Sequence, residues 1–547
     1  MRDLRKYDER PDVEIFPQGK IFRISFVSEM RKFRIFCLNQ DDMKSLVSAF
    51  SDENPACFFK SQYGYSDSYT ISPINMFGYF PVGLLFEILK YIRTRFGNLS
   101  VLAISNECRS YIDERLRPLG RLTEGISPES FQVSNVSERT INRNLPEEKR
   151  LRLRGYQEEM IRSLIFKGKG RGLVESPTAS GKSFMVANLI DTIETRISKG
   201  LRYLIYVPNR QLVDQFHKDL ISYGYSPKEV TRLTSNLKGK ERFDPEARVI
   251  IANRQYLFKN KDLLPSIDAL IADEVHQTVA DSTRKFVEEL DCDIKIGCSG
   301  TLPRRKYDRW TLIGMFGPVV YTEEITHLQR EGYISKLDIT LLKVRDLEIE
   351  KDRNCLFHVR SLRKFDSENP SDVTFNEAYY AETDYIVENC GRLYSPILGE
   401  IEKMKGNVLV LFDRIEFGQN MFELCRKSSS KEVRYLDGST KISVRESDRS
   451  DLEKTSDNVL FGQVSILSTG INVKNLSNLV LMVSTKSFSR ILQSIGRTLR
   501  LHKDKDVARL YDISFNFKYS QRHLRERLEI YRSMYGKTPD RTLEFEV

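Results

Sequence analysis

Gly172-Leu173-Val174-Glu175-Ser176-Pro177-Thr178-Ala179-Ser180-Gly181-Lys182-Ser183 joins a short apolar run to a loop of small residues, and then to a stretch with helical spacing that continues to about Thr195. A brief apolar run that stops at such a loop and then takes up a 3.6-residue period reads as strand, turn and helix. Backbone N–H groups at the start of a helix placed this way favour an anion inside the loop. Lys182 stands where an ammonium neutralises β and γ phosphates, and the Ser183 hydroxyl where it holds Mg²⁺. Pro177, Thr178, Ala179, Ser180, Gly181, Lys182 and Ser183 are therefore the expected ATP-binding residues. Ser176 occupies the position that is Gly in the usual phosphate-loop pattern.

Working outward, apolar runs at 203–207, 249–252, 269–272 and 294–298 alternate with helical stretches. The same rhythm resumes at 408–412, 433–436, 459–467, 479–483 and 507–511. Strands that alternate with helices imply parallel sheets covered on both faces. The expected fold class is thus α/β, with two parallel-sheet lobes at 141–335 and 336–516. Residues 1–140 lack the rhythm and read as a small α+β domain, with strands at 21–26 and 32–37 and an amphipathic helix at 82–96. A polar stretch at 351–380 reads as an insertion in the second lobe, 142–154 as a linker, and 517–547 as a helical tail.

At 547 residues the chain exceeds one core, since a domain averages roughly 150 residues. A hydrophobic share of 40% with 30% charged residues is that of a globular protein, not a disordered one. The most apolar stretch, 76–92, carries Pro81, Glu87 and Lys90 and falls short of the ~20 apolar residues that a bilayer requires. The opening sequence MRDLRKYDER has no apolar signal core, so a cytoplasmic protein without a membrane partner is expected. Eight cysteines form no CxxC pair and read as reduced thiols. A net charge of +10 suits a polyanionic partner, because Lys and Arg contacts to phosphates release condensed counterions. Charge alone does not decide the point.

Two further motifs carry chemistry. Asp273-Glu274-Val275-His276 follows an apolar run directly, which puts both carboxylates at a strand's C-terminal end, where α/β sheets bind ligands. In phosphoryl transfer one acid coordinates Mg²⁺ and another positions or deprotonates the attacking water, roles that fall here to Asp273 and Glu274. Alone, the tetrapeptide fits a solvated acidic turn, and its place downstream of the phosphate loop decides for catalysis. Gln493-Ser494-Ile495-Gly496-Arg497-Thr498-Leu499-Arg500 sets two arginines three apart on one helical face. Arg497 and Arg500 are candidates for the guanidinium pair that stabilises charge on a transferring phosphoryl group, a solvated basic helix end being the plain alternative.

In chain order, Arg154-Gly155-Tyr156-Gln157, the phosphate loop, Tyr206-Val207-Pro208-Asn209-Arg210-Gln211-Leu212, Asp273 to His276, Ser299-Gly300-Thr301, Ser468-Thr469-Gly470-Ile471-Asn472 and Gln493 to Arg500 resemble the motif series of superfamily 2 helicases. The order is the specific part. A closer resemblance is to the UvsW-type helicases of T4-like bacteriophages: it runs through most of the chain and includes Tyr79-Phe80-Pro81-Val82-Gly83-Leu84 near the N-terminus. The resemblance implies two RecA-like lobes, ATP and Mg²⁺ as cofactors, and work on branched DNA: branch migration, fork regression and unwinding of RNA–DNA hybrids. It further implies that Arg154, Tyr156 and Gln157 read adenine, with a helix cap beside a buried aromatic as the alternative. Under the same resemblance His276, Ser299 and Thr301 couple ATP state to nucleic-acid grip, and Gly470 contacts nucleotide. Asn209, Arg210, Asn253, Arg254 and Thr469 would contact nucleic acid, while Gln493 joins the catalytic set. Position 472 is Asn where many members carry Asp.

Two other readings stay open. The chain could be the motor of a restriction or repair nuclease, although 539–546 lacks the lysine that a nuclease site needs. It could also be an ATP-gated clamp that holds nucleic acid without separating strands. A monomer is favoured.

Overall fold

A computed structural model describes residues 21–37, 39–53, 70–96, 101–104, 106–138, 150–235, 243–348, 375–438, 440, 455–464, 475–482, 495–496 and 507–547. By its contacts the chain divides into two units, Met1–Ser176 with Gly181–Thr322, and Pro177–Ser180 with Glu323–Val547.

The first unit begins with a four-stranded sheet of β1 (Ile21–Val27), β2 (Lys32–Cys37), β3 (Tyr79–Pro81) and β4 (Val101–Ile104), in the order β3-β2-β1-β4. Period-two alternation sends Phe22, Ile24, Phe33, Ile35 and Phe80 to one face, where all are fully buried. Against them pack Leu85, Ile88 and Ile92 of helix α1 (Leu85–Phe96), in a core continuous with Leu312, Ile313 and Phe316 of helix α4 (Lys306–Phe316).

The same unit holds a seven-stranded sheet: β5 (Arg171–Glu175), β6 (Tyr203–Val207), β7 (Val230–Leu233), β8 (Val249–Asn253), β9 (Ala269–Asp273), β10 (Ile294–Ser299) and β11 (Val319–Thr322). Its order is β11-β5-β10-β9-β6-β8-β7, and every pairing is parallel. Strands such as β6 and β8 are buried at every position, as sheets covered on both faces require.

The second unit repeats the plan with β12 (Lys336–Arg345), β13 (Val408–Phe412), β14 (Val433–Leu436), β15 (Val459–Gln463), β16 (Asn478–Met482), β17 (Val507–Phe515) and β18 (Arg541–Glu546). The order is β14-β15-β13-β16-β17-β12-β18, again all parallel. The fold is thus α/β, with two RecA-like lobes that follow a small α+β domain in the sequence.

The segment 517–547, expected as a helical tail, supplies helix α5 (Lys518–Tyr535) and also strand β18, which pairs with β12. The strand escaped sequence reading because Arg541–Glu546 is exposed at almost every position and so shows no apolar alternation. The expected insertion lies mostly outside the described residues, and 375–380 instead open the helix Phe375–Glu388. Among the described residues no helix is long and apolar enough to cross a membrane, and no disulfide joins the six described cysteines.

Candidate active site

Parallel register brings the C-terminal ends of three adjacent strands together. Ser299 of β10 pairs with Glu175 of β5, and Asp273 of β9 pairs with Cys298 of β10. The chain leaves β5 at Glu175, turns through residues 176–181 and enters helix α2 (Lys182–Thr192). Two residues of that turn take left-handed backbone angles, Ala179 at φ 73° and Gly181 at φ 77°. Glycine at 181 meets a second demand too, since a Cβ there would lie 2.6 Å from Gln157 Nε2.

Lys182 Nζ donates to the Ser176 carbonyl at 3.0 Å, and Ser183 Oγ lies 3.0 Å from the Tyr223 hydroxyl. The two side chains expected to meet phosphate and metal thus rest on neighbouring protein groups. Gln157 bridges two elements: Oε1 accepts from the Arg154 backbone N–H at 3.0 Å, and Nε2 donates to the Gly181 carbonyl at 3.4 Å. Arg154 Nη1 donates to the Tyr156 hydroxyl at 3.2 Å, with Tyr156 buried. The Arg154–Gln157 motif therefore caps a helix start beside a buried aromatic and ties it to the phosphate loop.

Across the edge, Asp273 Oδ1 is buried and has no hydrogen-bond partner among the described residues. Burial, reinforced by the Glu274 charge, pushes the Asp273 carboxyl up to about 6 against the pull of Lys182. Burial also pushes Glu274 upward, but His276 and Lys182 outweigh it and hold that carboxyl down at about 2. Glu274 sits at φ 49°, a strained angle that costs a non-glycine residue about 1–3 kcal/mol and is typical of functional turns. The two carboxyls thus differ: burial and the neighbouring charge win at Asp273, whereas His276 and Lys182 win at Glu274.

His276 Nδ1 lies 2.7 Å from Ser299 Oγ and 3.3 Å from Glu274 Oε2. Ser299 gives its hydroxyl proton to the Thr301 carbonyl at 2.7 Å. A hydroxyl has one proton to give, so the proton on the His276–Ser299 bond is the one on Nδ1, and Glu274 shares it at longer range. Glu274, His276, Ser299 and Thr301 form one connected chain. Glu175, which sequence reading passed over, extends it: its Oε1 accepts from Leu302 N at 2.9 Å and pins the turn after Thr301 to the strand that feeds the phosphate loop. A polar residue ending an apolar run just before the loop was the available signal. Tyr223 carried none.

The expected nucleic-acid contacts divide. Asn209 Oδ1 accepts from Leu212 N at 3.0 Å and caps helix α3 (Arg210–Tyr223), and Arg210 Nε lies 4.0 Å from Asp214. Asn253 is buried with Oδ1 unpartnered among the described residues, and Arg254 beside it is half-buried. Thr469, Gly470, Gln493, Arg497 and Arg500 lie outside the described residues. The donor set suits Mg²⁺ held jointly with phosphate oxygens, because Ser183 and Asp273 offer hard oxygen ligands. No group of three or more His, Cys, Asp or Glu among the described residues could hold an ion alone.

Residues 150–304 match the family described as Type III restriction enzyme, res subunit, and residues 392–502 match the helicase conserved C-terminal domain. The chain is 25% identical over 379 residues to the ATP-dependent DNA helicase UvsW of Enterobacteria phage T4, a match spanning 67% of this chain and 69% of that protein. The crystal structure of T4 UvsW aligns with 96% of this chain and 99% of its own at 20% identity, with a TM-score of 0.41. The ATP-dependent Type ISP restriction-modification enzyme LlaBIII, in its DNA-bound structure, aligns with 85% of this chain and 36% of its own at 13% identity and a TM-score of 0.52. At that identity the likeness speaks to the fold.

Proposed function

Since this chain belongs to the superfamily 2 helicases, and so uses ATP to act on nucleic acid, we propose that it remodels branched DNA: branch migration, fork regression and R-loop unwinding in recombination, repair or replication. It works as a cytoplasmic monomer with Mg²⁺ as the metal, at the edge formed by β5, β9 and β10. The observation that carries the site assignment is the buried, partnerless Asp273 oxygen beside Lys182 and the ionised Glu274.

Magnesium supplies Lewis-acid charge for the phosphates when bound. Lys182 would leave the Ser176 carbonyl to meet the β and γ phosphates, and Ser183 and Asp273 would hold the ion. Glu274, already ionised at neutral pH, orients the attacking water and draws its proton. The His276–Ser299–Thr301 chain then reports the change in charge at Glu274 to the turn after β10. Arg497 and Arg500 stabilise charge on the transferring group, with Gln493 and Gly470 beside the nucleotide. Tyr156 and Gln157 face adenine after the Gln157 amide exchanges its present partners. Asn209, Arg210, Asn253, Arg254 and Thr469 follow the phosphate backbone, which positions a strand without reading its sequence.

The similarity to UvsW supports branched DNA as substrate. The test compares strand separation and ATPase stimulation on single strands, duplexes, forks, four-way junctions and R-loops at one salt concentration, since phosphate affinity shifts steeply with salt. Forks and junctions are expected to stimulate most. ATP turnover without strand separation on any of them would favour a nucleotide-gated clamp. The match to a restriction-enzyme family supports a nuclease-linked motor as a second reading, which cleavage of plasmid DNA in the presence of ATP and Mg²⁺ would establish.

A further inference from the structure

The four-stranded sheet of the N-terminal domain buries Phe22, Ile24, Phe33, Ile35 and Phe80 on one face, while Arg23, Ser25, Lys32, Arg34, Phe36, Tyr79 and Pro81 on the other are each half-buried. Register defines what that second face presents. Arg23 of β1 lies opposite Phe36 of β2, Ser25 opposite Arg34, and Arg34 in turn opposite Tyr79 of β3. Lys32 lies opposite Pro81 in the next row. None of β1, β2 or β3 contains a carboxylate, so every charged residue on these strands is a cation.

The aromatics are held in place. The Arg34 guanidinium lies 4.2 Å from the Phe36 ring centre and 4.9 Å from that of Tyr79, bridging the two rings. Beyond Tyr79 the turn 75–79 is pinned from several sides. Asn75 Oδ1 accepts from Phe77 N at 3.0 Å and from Tyr79 N at 2.9 Å, and Arg34 Nε donates to the Phe77 carbonyl at 3.2 Å. Gly78, at φ +81°, comes so close to β2 that a Cβ would lie 2.1 Å from the Ile35 carbonyl oxygen. This turn holds the Phe77 side chain 73% exposed and Met76 59% exposed. A bulky aromatic carried in water on a pinned backbone serves no core, and the ordering of that backbone is complete before any ligand arrives.

Cations interleaved with aromatics on an open sheet are the chemistry that binds unpaired bases: rings stack on base faces while arginine and lysine meet phosphates. We propose that this face, with Phe36, Tyr79 and Phe77 as stacking rings and Arg34 and Lys32 as phosphate partners, is a platform for a single strand of nucleic acid. The proposal rests on the helicase reading and deepens it by locating where an unpaired strand is held away from the ATP site. A single strand is favoured over a duplex because paired bases offer no faces for stacking.

The test uses the full chain and a fluorescent oligothymidine, with a second strand carrying 2-aminopurine to report stacking. Phe36→Ser with Phe77→Ser is expected to weaken single-strand binding about tenfold or more and to abolish the 2-aminopurine change, while blunt duplex binding and ATP turnover without nucleic acid stay as in the parent. Tyr79→Phe is expected to bind normally. Should the double variant fail to fold, Phe77→Ser alone, at an exposed turn, gives the same readout in smaller degree. Unchanged single-strand affinity and unchanged 2-aminopurine emission in these variants would overturn the platform while leaving the helicase reading intact. Absence of nucleic-acid stimulation in the parent chain would instead remove the helicase reading.

Discussion

Asp273 and Glu274 are neighbours whose surroundings push their protonation apart, as the proposed division between metal binding and proton transfer requires. Burial raises Asp273 to about 6, well above its ordinary 3.8. A carboxylate with a raised folded-state pKa costs stability above that pH and returns it as pH falls toward 3.8. Asp273→Asn is therefore expected to stabilise the nucleotide-free fold at pH 7–8, by on the order of 1–3 kcal/mol, while abolishing ATP hydrolysis. The gain should shrink toward nothing near pH 4. Thermal midpoints measured between pH 4 and pH 8 check this, and a variant equally destabilised across that range would contradict the account. Lys182→Ala is the companion case: ATP turnover should vanish while much of the nucleic-acid binding survives, and retained turnover would remove Lys182 from the phosphate site.

At the level of elements, much of the architecture could be read in advance because buried parallel strands are continuous apolar runs. The expected 203–207, 408–412 and 433–436 coincide with β6, β13 and β14 to the residue. Strands β3, β4, β7, β11, β12 and β18 escaped, and two of them show why. Strand β18 is a polar edge strand fixed by pairing with β12 rather than by its own pattern. Strand β3 has only three residues, too few to show a period. The strand, turn and helix around 176–181 and the place of Asp273 at the end of β9 were legible because such boundaries are local, whereas the Glu175–Leu302 and Ser183–Tyr223 contacts depend on a register that no linear spacing displays. Close approach of backbones is likewise invisible in sequence. Gly83 lies so near helix α4 that a Cβ would stand 2.2 Å from the Ile313 carbonyl oxygen. Gly83→Ala is thus expected to force the two elements apart and cost about 1–3 kcal/mol, read as an earlier denaturant midpoint. An unchanged midpoint would show that the contact relaxes freely.

Across the whole molecule, residues 1–140 carry none of the ATP motifs, which would make them a module that could be cut away. The packing argues otherwise. Its buried residues and those of α4 belong to one apolar cluster, with Phe50 and Trp310 in ring contact at 4.7 Å. Arg115 also bonds Asp291 at 3.1 Å, and Tyr307 N donates to Asp52 at 3.1 Å. A chain starting at 141 would expose the α4 face in the lobe that holds residues 176–183, at about 1.5–3 kcal/mol for each large side chain uncovered. Such a truncation is expected to lower the thermal midpoint and promote self-association, so that ATP turnover falls through loss of folded protein. Calorimetry and light scattering on the truncated chain would check this. A monomeric truncation with the parent's midpoint would show that the domain rests on the lobe without supporting it, and deletion would then be a clean test of substrate reading.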